Sequence, residues 1–86
     1  MKTIWKFELP IEGTIEMPIG AEILGVQVQR DEPRLWAMVD PSAPKEKRQF
    51  KIYGTGHTMP DNPGKYVGTF QIAEGTFVFH VFEKEQ

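Results

Sequence analysis

"TFVFHVFE", residues 76–83, is the stretch on which the reading of this chain turns. Phe77, Phe79 and Val81 fall on one side, and Val78, His80 and Phe82 on the other. That alternation is the period of a β-strand, whose successive side chains point to opposite faces. Both faces, however, are apolar. A strand of that kind is either central in a sandwich or covered by another subunit. "RLWAMVD", residues 34–40, poses the same question, with Leu35, Ala37 and Val39 opposite Trp36 and Met38. A small barrel has one interior, so two doubly apolar strands favour a homo-oligomer, most simply a dimer.

Period two continues outward from these strands. In "TIWKFEL" (3–9), Trp5, Phe7 and Leu9 share a face opposite Lys6 and Glu8, and Pro10 ends the run because it lacks the N–H a ladder requires. "GTIEMP" (13–18) sets Ile15 and Met17 opposite Thr14 and Glu16; "EILGVQVQ" (22–29) puts Leu24, Val26 and Val28 on one side. "RDEP" (30–33) reads as a charged turn closed by Pro33, and "PSAPKEK" (41–47) as a loop. "RQFKIY" (48–53) points Phe50 and Ile52 inward, and "KYVGTFQI" (65–72) places Tyr66, Phe70 and Ile72 on one face, with "AEG" (73–75) as a hairpin connection. No window shows a 3.6-residue period, and Gly or Pro interrupts the chain too often for a helix. The expected fold is all-β, one domain over residues 1–86, a small antiparallel β-barrel or sandwich of six or seven strands.

Composition narrows the function classes. An 86-residue chain lies near the lower limit for a single core, and without cysteine it has neither disulfides nor a thiolate zinc site to help. A net charge of −2 argues against broad nucleic-acid binding, which requires a basic surface. No run is long enough to span a membrane, and no apolar segment of export-signal type follows "MKTIWKFELP", so a cytoplasmic protein is the expectation. The one basic concentration, Lys45, Lys47, Arg48 and Lys51 beside Glu46, reads as a solvated face or a secondary contact.

"YGTGHTMPDNPG", residues 53–64, looks least like scaffolding. As a site, Gly54 and Gly56 let backbone approach a ligand, Thr55 adds a hydroxyl, His57 a group titrating near neutrality, and Asp61 a carboxylate. As a turn, the same glycines form a bend, and "PDNPG" supplies fixed φ, local hydrogen bonds and positive φ in order. No serine or cysteine nucleophile adjoins His57 and Asp61, and the glycines match neither a Walker loop nor a dinucleotide fingerprint. His57 and His80, the only histidines, lack a second ligand at metal-binding spacing, so neither metal nor cofactor is expected. The Trp36/Met38 face is the expected protein-binding surface, since aromatics and Met are enriched at interface centres.

Taken together, "MKTIWKFELP", "ILGVQVQ", "LWAMVDPSAPKEKRQFKIYGTGH" and "GTFQ…FVFHVFE" resemble the short proteins of tailed bacteriophages and prophages grouped as a domain of unknown function, DUF7352. The resemblance implies a phage accessory protein acting inside the infected bacterial cell. The expected function is non-catalytic binding of a host protein, of the host-takeover or counter-defence kind that includes anti-CRISPR inhibitors. The rival expectations are a nucleotide- or small-ligand-binding module in which the 54–57 loop cradles phosphate and Tyr53 stacks the base, a small enzyme using His57 and Asp61, and a virion structural component.

Overall fold

Each alternating segment forms a strand in the computed structural model, which describes residues 1–85. The strands are β1 (Thr3–Glu8), β2 (Glu12–Pro18), β3 (Glu22–Gln29), β4 (Glu32–Val39), β5 (Lys45–Gly54), β6 (Lys65–Ile72) and β7 (Phe77–Glu83). They build two sheets, β1-β4-β3 and β2-β5-β7-β6, in which every pairing is antiparallel. The sheets do not join into a closed ring, so the architecture is sandwich-like and not a barrel. The shortest Cα extent, 16 Å, is what two layers about 10 Å apart require. Among the described residues there is no helix.

Leu35, Ala37 and Val39 of β4 meet Met17, Phe50 and Val81 of the facing sheet, and none is more than 1% exposed. The central strands β4 and β7 thus turn their better-buried faces toward each other, as their alternation requires. β7 also has partners for its outer face: Phe82 lies edge-on between Tyr53 and Tyr66, with ring centroids 5.8 and 5.6 Å away. Its second apolar face is therefore met from within the chain. The outer face of β4 is not: Trp36 and Met38 stay half-buried.

Two facing expectations are corrected. Leu24 does not share a side with Val26: the β3–β4 register slips between Ile23 and Gly25, Ile23 joins Val26 at the core, and Leu24 is 51% exposed. Tyr66 does not share a side with Phe70: the β6–β7 register slips between Tyr66 and Gly68, leaving Tyr66 53% exposed and Val67 packed inward. One extra residue in a strand inverts every face beyond it, which is what a bulge does and what simple alternation cannot register. Both bulges lie in edge strands, β3 and β6, which approach so closely that a side chain on Gly68 would touch Val26 Cβ at 3.4 Å.

Two turns are shorter than expected. The β3–β4 connection is Arg30–Asp31 alone, with φ of +54° and +64°, and Pro33 lies within β4 opposite Val28. In a two-residue hairpin the closing pair, here Gln29–Glu32, carries the hydrogen bonds, so the nitrogen of Pro33 faces away from β3. On that side β1 has already ended at the Glu8–Arg34 pair, and the missing N–H leaves no gap in a ladder. Likewise "KEK" is strand and not loop: Lys45, Glu46 and Lys47 pair with Pro18, Met17 and Glu16. The preceding corner is set by Asp40, whose carboxylate accepts bonds from the Ser42 hydroxyl and amide, which hold it below the usual carboxylate range.

Phe50 is fully buried at the centre, whereas Phe79 is half-buried and stacks between Phe70 and Phe77 at one end. Phe50→Ala is expected to cost about 3–5 kcal/mol, most of a small domain's stability. Phe79→Ala is expected to cost less, roughly 1–3 kcal/mol, because part of its ring already meets water. Urea unfolding of both variants checks the order; equal losses contradict the placement of Phe79. A second expectation concerns the strained hairpin. A non-glycine residue at positive φ costs on the order of 1 kcal/mol, so Asp31→Gly should stabilise by about 0.5–1 kcal/mol in the same measurement. A destabilised Asp31→Gly would contradict that strain.

Candidate functional site

The sandwich has two unlike ends. At one, Arg48 donates from Nε and Nη2 to the Glu83 carboxylate at 2.6 and 2.8 Å, and from Nη1 to the Ala21 carbonyl at 2.7 Å. Both charged side chains are under 20% exposed, so this pair ties β5 to β7 and holds the β2–β3 connection against them. Arg48 is consequently a structural residue and not part of an exposed basic contact.

The opposite end is open and apolar. It holds a cleft of about 540 Å³, lined by Leu9 and Pro33 on the side of sheet β1-β4-β3 and by inner-face residues of the facing sheet. Its wall is Ile52, Phe70, Ile72 and Phe79; Glu8, Glu32 and Arg34 stand at one lip. Ile11 stands at another, 78% exposed, with its carbonyl accepting from the Ile52 amide at 2.9 Å. Phe77, 53% exposed, extends the aromatic stack outward from Phe79. Apolar groups are held here in a rigid arrangement with part of their surface in water.

The 53–64 segment reaches this cleft only at its start. β5 and β6 both pair antiparallel with β7 between them, so they run parallel, and residues 55–64 form a crossover on the sheet. The span is about 13 Å along the strands and about 10 Å across them, far less than the extended reach of this segment. The slack is taken up in a turn, closed by the His57 amide on the Gly54 carbonyl at 3.1 Å, with Gly56 at φ +85°. Gly54 and His57 line the cleft, and the imidazole lies directly on the Gly54 backbone, where a Cβ would sit 2.8 Å from the ring. Asp61 lines a different hollow, with Lys51, Tyr53 and Lys84. No hydrogen bond or ion pair joins His57 to Asp61, so the two residues that the rival enzyme reading would use are not paired in space.

Tyr53 is only 5% exposed, with its ring edge-on to Phe82 and Lys51 Nζ 5.2 Å from its centroid. It presents no free face to a base, and the Thr55 and His57 amides are already bonded to Val78 and Gly54. The Tyr53 ring and two of the amides that the nucleotide expectation would use are thus engaged within the fold. Of the basic run, Lys45 and Lys47 lie exposed on the outer side of β5, Lys47 opposite Glu16. Lys51 approaches Glu12 at 3.7 Å, and Lys84 bonds Glu12 at 2.9 Å. The Lys84 hydrogen bond first, then the charge of Lys51, holds the Glu12 carboxyl below its ordinary range. Trp36 and Met38 sit on the outer face of the three-stranded sheet, away from the cleft. Ile11 carries no expectation from the sequence, where an isolated isoleucine beside Pro10 was the available signal, and Phe77 was read only as one face of the last strand and not as a site residue.

Beside the crossover, His80 Nε2 is 2.7 Å from Thr55 Oγ1 and Nδ1 is 3.0 Å from Thr69 Oγ1, which also contacts the Tyr66 hydroxyl. One fixed acceptor orients this chain of bonds. The Thr55 hydroxyl donates to the Val78 carbonyl, which has no proton to give, so Thr55 Oγ1 must accept from His80 Nε2–H. Nδ1 then accepts from Thr69, and Thr69 from Tyr66. Nitrogen-15 spectra at a pH where the ring is neutral should show the Nε2–H tautomer of His80, with that preference weakened in Thr55→Val. A dominant Nδ1–H form would contradict this orientation.

With the cleft, the crossover and the Arg48–Glu83 end described, the sequence can be set against known proteins as a whole. No curated protein and no solved structure matches it. A family model does match, over residues 1–86: the chain belongs to the family described as a domain of unknown function, DUF7352.

Proposed function

We propose that this protein is a non-catalytic binding module that holds apolar side chains of a partner protein in the cleft between its sheets. The observation that carries this reading is the exposed apolar margin of the cleft: Ile11 and Phe77 project beside a preformed wall of Ile52, Phe70, Ile72 and Phe79. Apolar groups left half in water by a rigid scaffold gain most when a partner covers them, at about 25 cal/mol per Å² of apolar surface removed. The charged lip of Glu8, Glu32 and Arg34 gives such contact a polar rim, the usual anatomy of a protein interface. His57, lying over Gly54 at the margin, is a contact residue in this reading and not an acid or base. In the bacteriophage setting that the family resemblance implies, the partner is a protein of the bacterial host, and occupying it serves host takeover or counter-defence in the cytoplasm.

The test uses immobilised chain and lysate of the infected host. The unmodified protein should retain a partner in stoichiometric amount. Ile11→Asp combined with Phe77→Asp should reduce retention at least tenfold while preserving the melting temperature within a few degrees, because both side chains are already exposed. Gly54→Ala, which displaces the His57 ring, should have a smaller effect. Undiminished retention by the Ile11/Phe77 variant contradicts the cleft as the binding site.

A further inference from the structure

A separate surface carries an inference beyond that reading. The outer face of β1-β4-β3 combines exposed Ile4 and Leu24 (57% and 51%) with half-buried Met38 and Trp36, and it lies outside the cleft. Register makes this face a small grid. Ile4, Met38 and Glu22 form one row; Lys6, Trp36 and Gly25 form the next; Leu24, the bulged residue, stands between the rows on β3. By backbone position, oppositely charged residues thus stand at opposite corners, Lys6 on the β1 edge and Glu22 on the β3 edge, with the Lys6 side chain reaching across to β3 and free to swing back toward a partner. Lys6 bonds only the neutral Gln29, at 2.7 Å, and Glu22 makes no hydrogen bond or ion pair among the described residues.

We infer that this face is the contact between two copies of the chain, and the charge pattern selects how they meet. In a face-to-face pair the two-fold axis lies in the plane of contact. An axis along β4 sets Ile4 against Glu22 of the second copy, and an axis across the strands sets Lys6 against Ile4. The diagonal through Lys6 and Glu22 sets like charge on like. The remaining diagonal, through Ile4 and Gly25, brings Lys6 onto Glu22 of the other copy twice, Ile4 onto Ile4, and Leu24 onto Trp36 twice. A Cβ at Gly25 would meet nothing within 4 Å, so the backbones can close at that corner. The strands of the two copies then cross near a right angle, one of the two standard ways sheets pack. Three strands give a contact at the low end of interface sizes.

Sedimentation equilibrium from 10 µM to 0.5 mM tests this. The unmodified chain should dimerise in that range. Lys6→Glu and Glu22→Lys should each weaken the dimer at least tenfold, both sites being exposed. An equimolar mixture of the two variants should recover it, since a mixed pair restores both contacts, one as in the unmodified dimer and one with its signs exchanged; the double variant, which exchanges the signs of both, should recover it as well. A monomer at 0.5 mM overturns the proposal. A dimer indifferent to either single substitution, or a mixture and a double variant that both fail to recover it while melting as the unmodified chain does, overturns it equally.

Discussion

Strand pairing counts residues in twos, and at Leu24 and Val67 one strand carries a residue its neighbour does not match. Much of the architecture depends on those two extra residues. Beyond each, the faces are inverted, so Ile23 and Val26 reach the core from β3, and Val67 and Phe70 from β6. The added twist lets the two edge strands close on one another across the sandwich, with Gly68 leaving room for Val26. Without the inversions, Leu24 and Tyr66 would compete for the interior, and Ile23 and Val67 would face water.

The residues displaced outward by the bulges have consequences of their own. Tyr66 completes the aromatic row with Phe82 and Tyr53, and its hydroxyl joins the chain of bonds through Thr69, His80 and Thr55. That row and that chain cross the sheet from β6 to β5 and anchor the start of the 55–64 crossover. Thr55 has both its amide and its hydroxyl on the Val78 carbonyl. The end of the crossover is held differently, by Gly64 at φ +98° pressed against the Glu83 backbone, where any side chain would collide. A segment rich in Gly and Pro thus serves as a connection pinned at both ends, with His57 carried to the margin of the apolar cleft.

The two ends of the sandwich follow from how the strands are cut. Arg48 and Glu83 stand where inner-face positions run out at one end. Their bidentate bonds, with the Ala21 carbonyl, satisfy charges that would otherwise carry a desolvation penalty of several kcal/mol. At the other end the wall is aliphatic and aromatic, Ile52, Phe70, Ile72 and Phe79, and the charged groups Glu8, Glu32 and Arg34 stand only at the lip. A chain of this size without disulfides has little apolar surface to spare, which makes an uncovered Ile11 and Phe77 informative.

Alternation in the sequence was sufficient for the existence of the strands, the inward faces of β1, β2 and β5, and the double-sided character of β4 and β7, because period two is a local property of a pleated backbone. It also located the unusual 53–64 segment. Local patterns did not reveal the bulges, since an inserted residue has no signature of its own until a partner strand fixes the register. Nor did they show that Pro33 is tolerated, which depends on β1 ending one pair earlier, or that His57 and Asp61 face different hollows, which depends on the path of the crossover. The opening of the cleft was likewise hidden: whether Ile11 and Phe77 are covered is decided by how the two sheets pack, a relation between segments far apart in the chain.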